Sequence, residues 1–255
     1  MKVIAVFNLK GGVAKTTTVI NTAAYLAAKH GKKVLVVDAD GQCNSTEFLR
    51  RDAVHVYTMR ELVRDGFRPS AAAIEHSKLT GVDLLPAHEE LMDLDLTKIE
   101  LGSASATSLR DLLRSENGIG WAYDWVLIDC PTAFTAASAA ALVAADEVLI
   151  PVKIDAFSLS GMVNIMRQVF NMRKINDRLK IAGILPTVWY KSANIVAAEE
   201  VLRKSDFHIF GHIRRSTKSD DTTFAQRPLV DFSPKSAAAQ DYARFAADLV
   251  RREGK

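Results

Sequence analysis

With 255 residues the chain is long enough for one large α/β domain, and its 48% hydrophobic and 25% charged residues are those of an ordinary globular protein. A formal net charge of +3 is too small to argue for nucleic acid by itself, so that argument has to come from where the basic residues fall. No apolar run approaches the roughly 18 residues of a membrane span, no signal peptide precedes the first strand pattern, and two cysteines, Cys43 and Cys130, make no disulfide framework; a cytoplasmic protein is expected.

The first apolar run, residues 3–7, leads directly into K-G-G-V-A-K-T-T-T at residues 10–18, and a helical pattern follows from residue 17 to about residue 29. Strand, glycine loop, helix is the context a phosphate-binding loop needs. Backbone N–H groups of such a loop converge on an anion, and the helix N-terminus adds its partial positive charge. Gly11 and Gly12 let the backbone approach without a Cβ in the way. The expected nucleotide-binding stretch is Lys10, Gly11, Gly12, Val13, Ala14, Lys15, Thr16 and Thr17. Lys15 is expected to reach the β- and γ-phosphates, and the Thr16 hydroxyl to hold Mg²⁺. Asn8 stands where the common pattern has its first glycine, and Ala14 replaces the glycine before the lysine. A Cβ at that position costs about 1 kcal/mol if the backbone is left-handed.

Residues 34–37 are a β-branched run that predicts a buried parallel strand. It ends in Asp38-Ala39-Asp40, two carboxylates at the strand's C-terminal end, where open α/β sheets bind ligands. Residues 45–118 predict a mostly helical excursion, with helical spacing at 59–63 and 105–113 and a strand over 82–86 closed by Pro86. His88 reads as an ordinary loop residue. Residues 125–129, four apolar side chains ending in Asp129, read as a Walker B strand whose carboxylate would hold Mg²⁺ through water. A helix is predicted over 138–145, a strand over 147–152, a helix over 159–175, a strand over 181–185 and a helix over 193–204. A last strand pattern covers 207–213, a polar, basic-rich loop 214–227, and an amphipathic helix 234–250. This alternation argues for one α/β domain, residues 1–255, built on a doubly wound, mostly parallel sheet. Phosphate loop, strand-end carboxylates and Walker B aspartate then share one edge of the sheet, which predicts a nucleoside triphosphate held with Mg²⁺.

The second lysine, Lys10, makes the loop resemble the deviant Walker A motif, K-G-G-x-x-K-[ST], of the ParA/MinD family of ATPases. D-A-D-G-Q-C-N-S-T (38–46) is similar to that family's switch I, D-C-P-T (129–132) to its switch II, and L-L-P-A (84–87), A-A-D-E-V-L-I-P-V (144–152) and F-S-P-K-S-A-A-A-Q-D-Y (232–242) to further segments of chromosomal ParA, or Soj, proteins. The resemblance covers nearly the whole chain. It implies a slow, partner-stimulated ATPase in which two subunits sandwich two ATP molecules. Lys10 reaches the nucleotide of the other subunit, Asp40 positions the attacking water, and Asp38 supports the metal. The catalytic set is thus Lys10, Lys15 and Asp40, and the metal set Thr16, Asp38 and Asp129. The ATP homodimer is expected to bind double-stranded DNA without sequence specificity, through Arg203, Lys204, Arg214, Arg215, Lys218, Arg251 and Arg252, and to be released by a ParB-like partner; it would be nucleoid-associated. No N-terminal helix-turn-helix extension is expected. The chain departs from the family at Gly41, where proline is usual, at Thr132, which replaces a second proline, and at I-R-R-S-T-K-S (213–219), which lacks the proline of I-P-R-N-V-R-x-S. The rivals are a MinD-like membrane ATPase, which would need a basic amphipathic helix beyond the fold, a nitrogenase-reductase-like cluster protein, a bacterial tyrosine kinase, a small-molecule ligase, a non-DNA cargo-positioning ATPase and an adaptor with a dead nucleotide site.

Overall fold

The computed structural model describes residues 1–51, 57–65, 73–94, 104–155 and 158–254. Among the described residues seven strands form one sheet: β1 (Lys2–Val6), β2 (Val34–Asp38), β3 (Glu75–His76), β4 (Val82–Leu85), β5 (Trp125–Asp129), β6 (Glu147–Lys153) and β7 (Lys180–Thr187). Their order is β3-β4-β2-β5-β1-β6-β7. Every pairing is parallel except that of the short β3 with β4. The helices are α1 (Lys15–His30), α2 (Asn44–Leu49), α3 (Met59–Asp65), α4 (Ala104–Arg114), α5 (Ala136–Ala144), α6 (Ser158–Met172), α7 (Ala193–Arg203), α8 (Thr217–Ala225), α9 (Leu229–Phe232) and α10 (Ala237–Glu253). The helical excursion expected over 45–118 contains α2, α3 and α4, and also β3 and β4; its residues 52–56, 66–72 and 95–103 lie outside the described residues.

The continuous apolar runs follow from burial on both faces. β2 and β5 are buried at every residue, because helices cover the sheet on each side. Side chains alternate between two cores. Val3, Ala5, Leu35, Val37, Val126 and Ile128 pack with residues of α3, α4, α5 and α6. Ile4, Val6, Val34, Val36, Trp125 and Leu127 pack with α1 and α10. The second core is closed by a buried hydrogen bond between Thr18 and Tyr242, 3.1 Å from Oγ1 to OH, which ties α1 to α10.

Two expectations are corrected. Residues 207–213 are extended but form no strand of the sheet. They run beside β7 through an isolated bridge at Ile184 and Ile209, with bonds from Ile184 N to His208 O (2.8 Å), Phe210 N to Ile184 O (2.9 Å) and Ile213 N to Pro186 O (2.8 Å). The ladder is interrupted where Pro186 has no N–H to give and Val188 adopts a φ of 50°, and pairing resumes in an isolated bridge between Trp189 and Arg214. The approach is close: a Cβ at Gly183, whose φ is 149°, would stand 2.6 Å from the His208 carbonyl oxygen. The polar loop expected over 214–227 contains α8, capped by Ser216, whose hydroxyl accepts from Lys218 N, and ended by Gln226 in the left-handed region. With Phe224 91% exposed, that helix has no apolar stripe for a periodicity to reveal. Among the described residues no helix is long and apolar enough to cross a membrane.

Candidate functional site

The loop between β1 and α1 is fixed from both sides. Asn8, buried, donates through Nδ2 to Pro151 O (2.7 Å) and accepts from Lys10 N (2.9 Å), so the residue standing where a glycine is usual fastens the loop to β6. Thr187, at the end of β7, donates its hydroxyl to Val13 O (3.0 Å). Gly12 has a φ of 70°. Ala14 is the N-cap of α1 and sits in the left-handed region at φ 61°, ψ 39°. The strain foreseen at Ala14 is therefore present, and it starts α1 at Lys15 rather than at residue 17.

The Lys15 side chain is buried at the head of this helix. Burial lowers its pKa, and the Asp129 and Asp40 carboxylates work against that shift. The ammonium is thus held out of water against carboxylates, a setting in which an anion finds it under-solvated.

Asp38 and Asp129 end β2 and β5 and face each other in the parallel register. Both are buried, and burial raises both carboxyls. Asp38 Oδ2 accepts from Thr46 N (2.8 Å) and Thr46 Oγ1 (2.7 Å), and its Oδ1 accepts from Asp40 N (3.1 Å). Asp129 Oδ2 accepts from Ser45 Oγ (2.7 Å). Asp129 Oδ1 is buried and has no hydrogen-bond partner among the described residues. Thr16 lies close enough for its hydroxyl to work against the rise at Asp129. A buried carboxylate oxygen without a partner, beside a hydroxyl and a second carboxylate, is a donor set that fits a hard divalent cation such as Mg²⁺. Asp40, half-buried, accepts from Gln42 N (3.0 Å) and holds the following turn through Asp40 O and Cys43 N (2.9 Å).

Lys10 stands apart from these groups. Its side chain is 41% exposed and its Nζ is paired with Asp155 of the same chain. His88 is a loop residue, its Nδ1 accepting from Glu90 N (3.3 Å).

A cavity of about 490 Å³ opens beside the loop, lined on one side by Gly12, Ala14 and Thr17 and on the other by Val188, Tyr190, Ile213, Arg214, Arg215, Ser216, Ser219, Asp220 and Tyr242. Most of this wall escaped sequence reasoning. It comes from the turn after β7 and from the start of α8, and the one local signal was Ser216 as a helix cap.

The basic residues expected at DNA fall into two groups. Arg203 Nη2 and Nε bond to Glu199 Oε1 (2.6 and 3.1 Å), and its guanidinium also reaches Ile209 O and Phe210 O (3.3 Å each). The Arg252 guanidinium lies over the Phe210 ring at 5.1 Å. Burial, and then the Arg252 and Arg203 charges, hold His208 below the usual histidine range. Arg203 and Arg252 thus gather around His208 and Phe210; their sequence neighbours are Lys204 and Arg251, and Arg251 is paired with Asp248. The second group is at the cavity: Arg214 and Arg215 line it, and Lys218 pairs with Asp221 (2.8 Å) on the first turn of α8. Arg214 is bonded to the buried Asp241 and donates to Ala237 O at 3.2 Å.

A family model described as an AAA domain matches residues 1–181. The chain is 33% identical over 262 residues to the chromosome partitioning protein ParA of Caulobacter vibrioides, covering 99% of this chain and 95% of that protein. It is 33% identical over 260 residues to the chromosome-partitioning ATPase Soj of Thermus thermophilus, covering 98% and 95%. The structure of cobyrinic acid a,c-diamide synthase from Mycobacterium smegmatis with bound ADP and magnesium has the same fold, with a TM-score of 0.81 and 27% identity over 100% of this chain and 96% of that one. The loop, the facing carboxylates and these relatives converge: the chain belongs to this AAA-domain family and is an ATPase of the ParA/MinD type.

Proposed function

We propose that this ATPase is a partition switch. ATP is its substrate and Mg²⁺ its cofactor. In the ATP state two subunits form a sandwich dimer that binds duplex DNA without sequence preference. A ParB-like partner stimulates hydrolysis, and the dimer separates. The observation that carries the reading is the placement of Lys10: next to the phosphate loop, yet half-exposed and turned to Asp155, in a chain whose ParA and Soj relatives align over nearly its full length.

Mg²⁺, when bound, would supply positive charge against the negative charge of the phosphates. The protein's own part is positioning. Backbone N–H groups of Gly11, Gly12, Val13, Ala14, Thr16 and Thr17 bind the phosphates, and Lys15 places its ammonium between the β- and γ-groups. Thr16, Asp38 and Asp129 would hold the metal. Asp40 orients the attacking water. Lys10 leaves Asp155 and meets the nucleotide held by the other subunit. Arg203 and Arg252, which meet Phe210, form the DNA face with their sequence neighbours Lys204 and Arg251, and phosphates there displace counterions.

The test is binding to random-sequence duplex DNA with ATP, with ADP and without nucleotide, for the native chain and for Lys10→Ala. ATP-dependent binding that weakens steeply with salt and is lost in Lys10→Ala supports the switch. Measurable ATP affinity without DNA binding in any state defeats the partition reading and turns attention to membranes and to small-molecule chemistry.

A further inference from the structure

The turn after Asp40 delivers two polar side chains into the protein interior. Cys43 adopts a φ of 56° and caps α2, and Ser45 and Thr46 follow in the first turn of that helix, 0% and 2% exposed. Each hydroxyl goes to a different carboxylate: Ser45 Oγ to Asp129 Oδ2 (2.7 Å) and Thr46 Oγ1 to Asp38 Oδ2 (2.7 Å). Thr46 gives Asp38 a second bond from its backbone N–H (2.8 Å), and its hydroxyl accepts from Ala87 N (2.9 Å), in the segment after β4. Two residues adjacent in sequence therefore grip the carboxylates of two neighbouring strands.

We infer that Ser45 and Thr46 are positioning residues for the metal site. Ser45 occupies one oxygen of Asp129 and thereby selects the other, Oδ1, as the one offered to the cation. A carboxylate otherwise has two equivalent oxygens and a free rotation about its last bond; a hydroxyl on Oδ2 removes both freedoms. Thr46 fixes the Asp38 carboxylate in the same way, but the oxygen it leaves goes to Asp40 rather than standing unpartnered. With Oδ2 doubly bonded, Oδ1 is left to receive Asp40 N, so the turn that carries Asp40 takes its place from a carboxylate that cannot rotate. Through Ala87, Thr46 also makes this arrangement sensitive to the segment after β4.

The inference rests on the proposed reading of Asp38 and Asp129 as metal residues, and the experiment separates the two. Mn²⁺ affinity is measured by electron paramagnetic resonance with a non-hydrolysable ATP analogue present, for the native chain, Ser45→Ala, Ser45→Cys and Ser45→Thr. Loss of an outer-shell partner weakens metal binding about 10- to 100-fold. Ser45→Ala and the nearly isosteric Ser45→Cys should show that loss, analogue affinity in the absence of metal should be unchanged, and Ser45→Thr should recover Mn²⁺ binding. For Thr46, replacement by Val should lower kcat with the KM for ATP unchanged, and Thr46→Ser should restore kcat. Native Mn²⁺ affinity in Ser45→Cys, or a loss that Ser45→Thr fails to repair, overturns the inference while leaving the ATPase reading intact. No Mn²⁺ binding by the native chain overturns both.

Discussion

Arg214 forks onto Asp241: Nε meets Oδ2 at 2.8 Å, Nη2 meets Oδ1 at 2.9 Å, and the Arg214 backbone N–H donates to Oδ2 at 2.9 Å. Paired donors in one plane fix direction as well as distance. The segment that walls the cavity opposite the phosphate loop is thereby fastened to α10. Burial alone would raise the Asp241 carboxyl, but the Arg214 bonds, with Arg244, hold it below the usual carboxylate range. Such a group stabilises the fold above its unfolded pKa, and the contribution is lost as pH falls through the lower, folded value. Asp241→Asn should cost about 2 kcal/mol at pH 7, with the gap to the native chain closing below about pH 4. Urea unfolding at several pH values checks this, and a gap that does not depend on pH contradicts it.

Ala14 carries a side chain where the backbone is left-handed. The penalty is on the order of 1–2 kcal/mol, offset in part by the larger entropy a glycine loses on folding. Ala14→Gly should therefore stabilise the protein by about 0.5–1 kcal/mol, whereas Ala14→Val should destabilise it. The denaturation midpoints of the two variants should lie on opposite sides of the native value.

Lys15 is buried as a cation whose charged form the fold disfavours. Its folded pKa lies below its unfolded one, so the unfolded state binds more protons and stability rises with pH toward 10.5, the ordinary lysine value. Lys15→Met removes this penalty together with a counter-charge that lowers buried Asp129, so the test is the pH dependence and not the sign of one melting temperature. The stability of the native chain relative to Lys15→Met should rise as pH rises toward the ordinary lysine value, and added ATP should no longer raise the melting temperature of the variant. A difference that does not change with pH there would refute the desolvation argument.

Asp155 competes with any phosphate for Lys10. The pair is partly exposed, and such pairs are worth at most about 1 kcal/mol, or a factor of about 5. If the proposed ATP-driven dimer forms, Asp155→Asn should lower the ATP concentration needed for half-maximal dimerisation by up to about fivefold, with unfolding free energy within about 0.5 kcal/mol of native. Light scattering against ATP concentration measures the shift; an unchanged midpoint removes Asp155 from the switch.

The legible parts of the chain were those whose physics is local. β1, β2 and β5 are buried on both faces, so each is an unbroken apolar run, and the catalytic edge follows from what ends each run: the loop after Val6, Asp38 and Asp129. The cavity wall was hidden because its residues come from separate segments joined by the Trp189–Arg214 bridge and the Arg214–Asp241 pair, neither of which has a sequence period. α8 was hidden because a helix with no buried stripe has no signal beyond its caps. Ser45 and Thr46 were visible as letters of a motif, but only the register of β2 against β5 shows that their hydroxyls serve different strands.

That register has a consequence for which parts of the site a substitution can move. Asp38 and Asp129 are the last rungs of a five-residue parallel ladder running from Val34 and Trp125. The spacing between them is inherited from the core, and altering it means unzipping the middle of the sheet. The loop at 8–14 is fastened to β6 and β7, and the turn at 40–46 to Asp38, by a few named bonds each. Substitutions in those two appendages can therefore shift the side chains they carry while the spacing of Asp38 and Asp129 stays with the core.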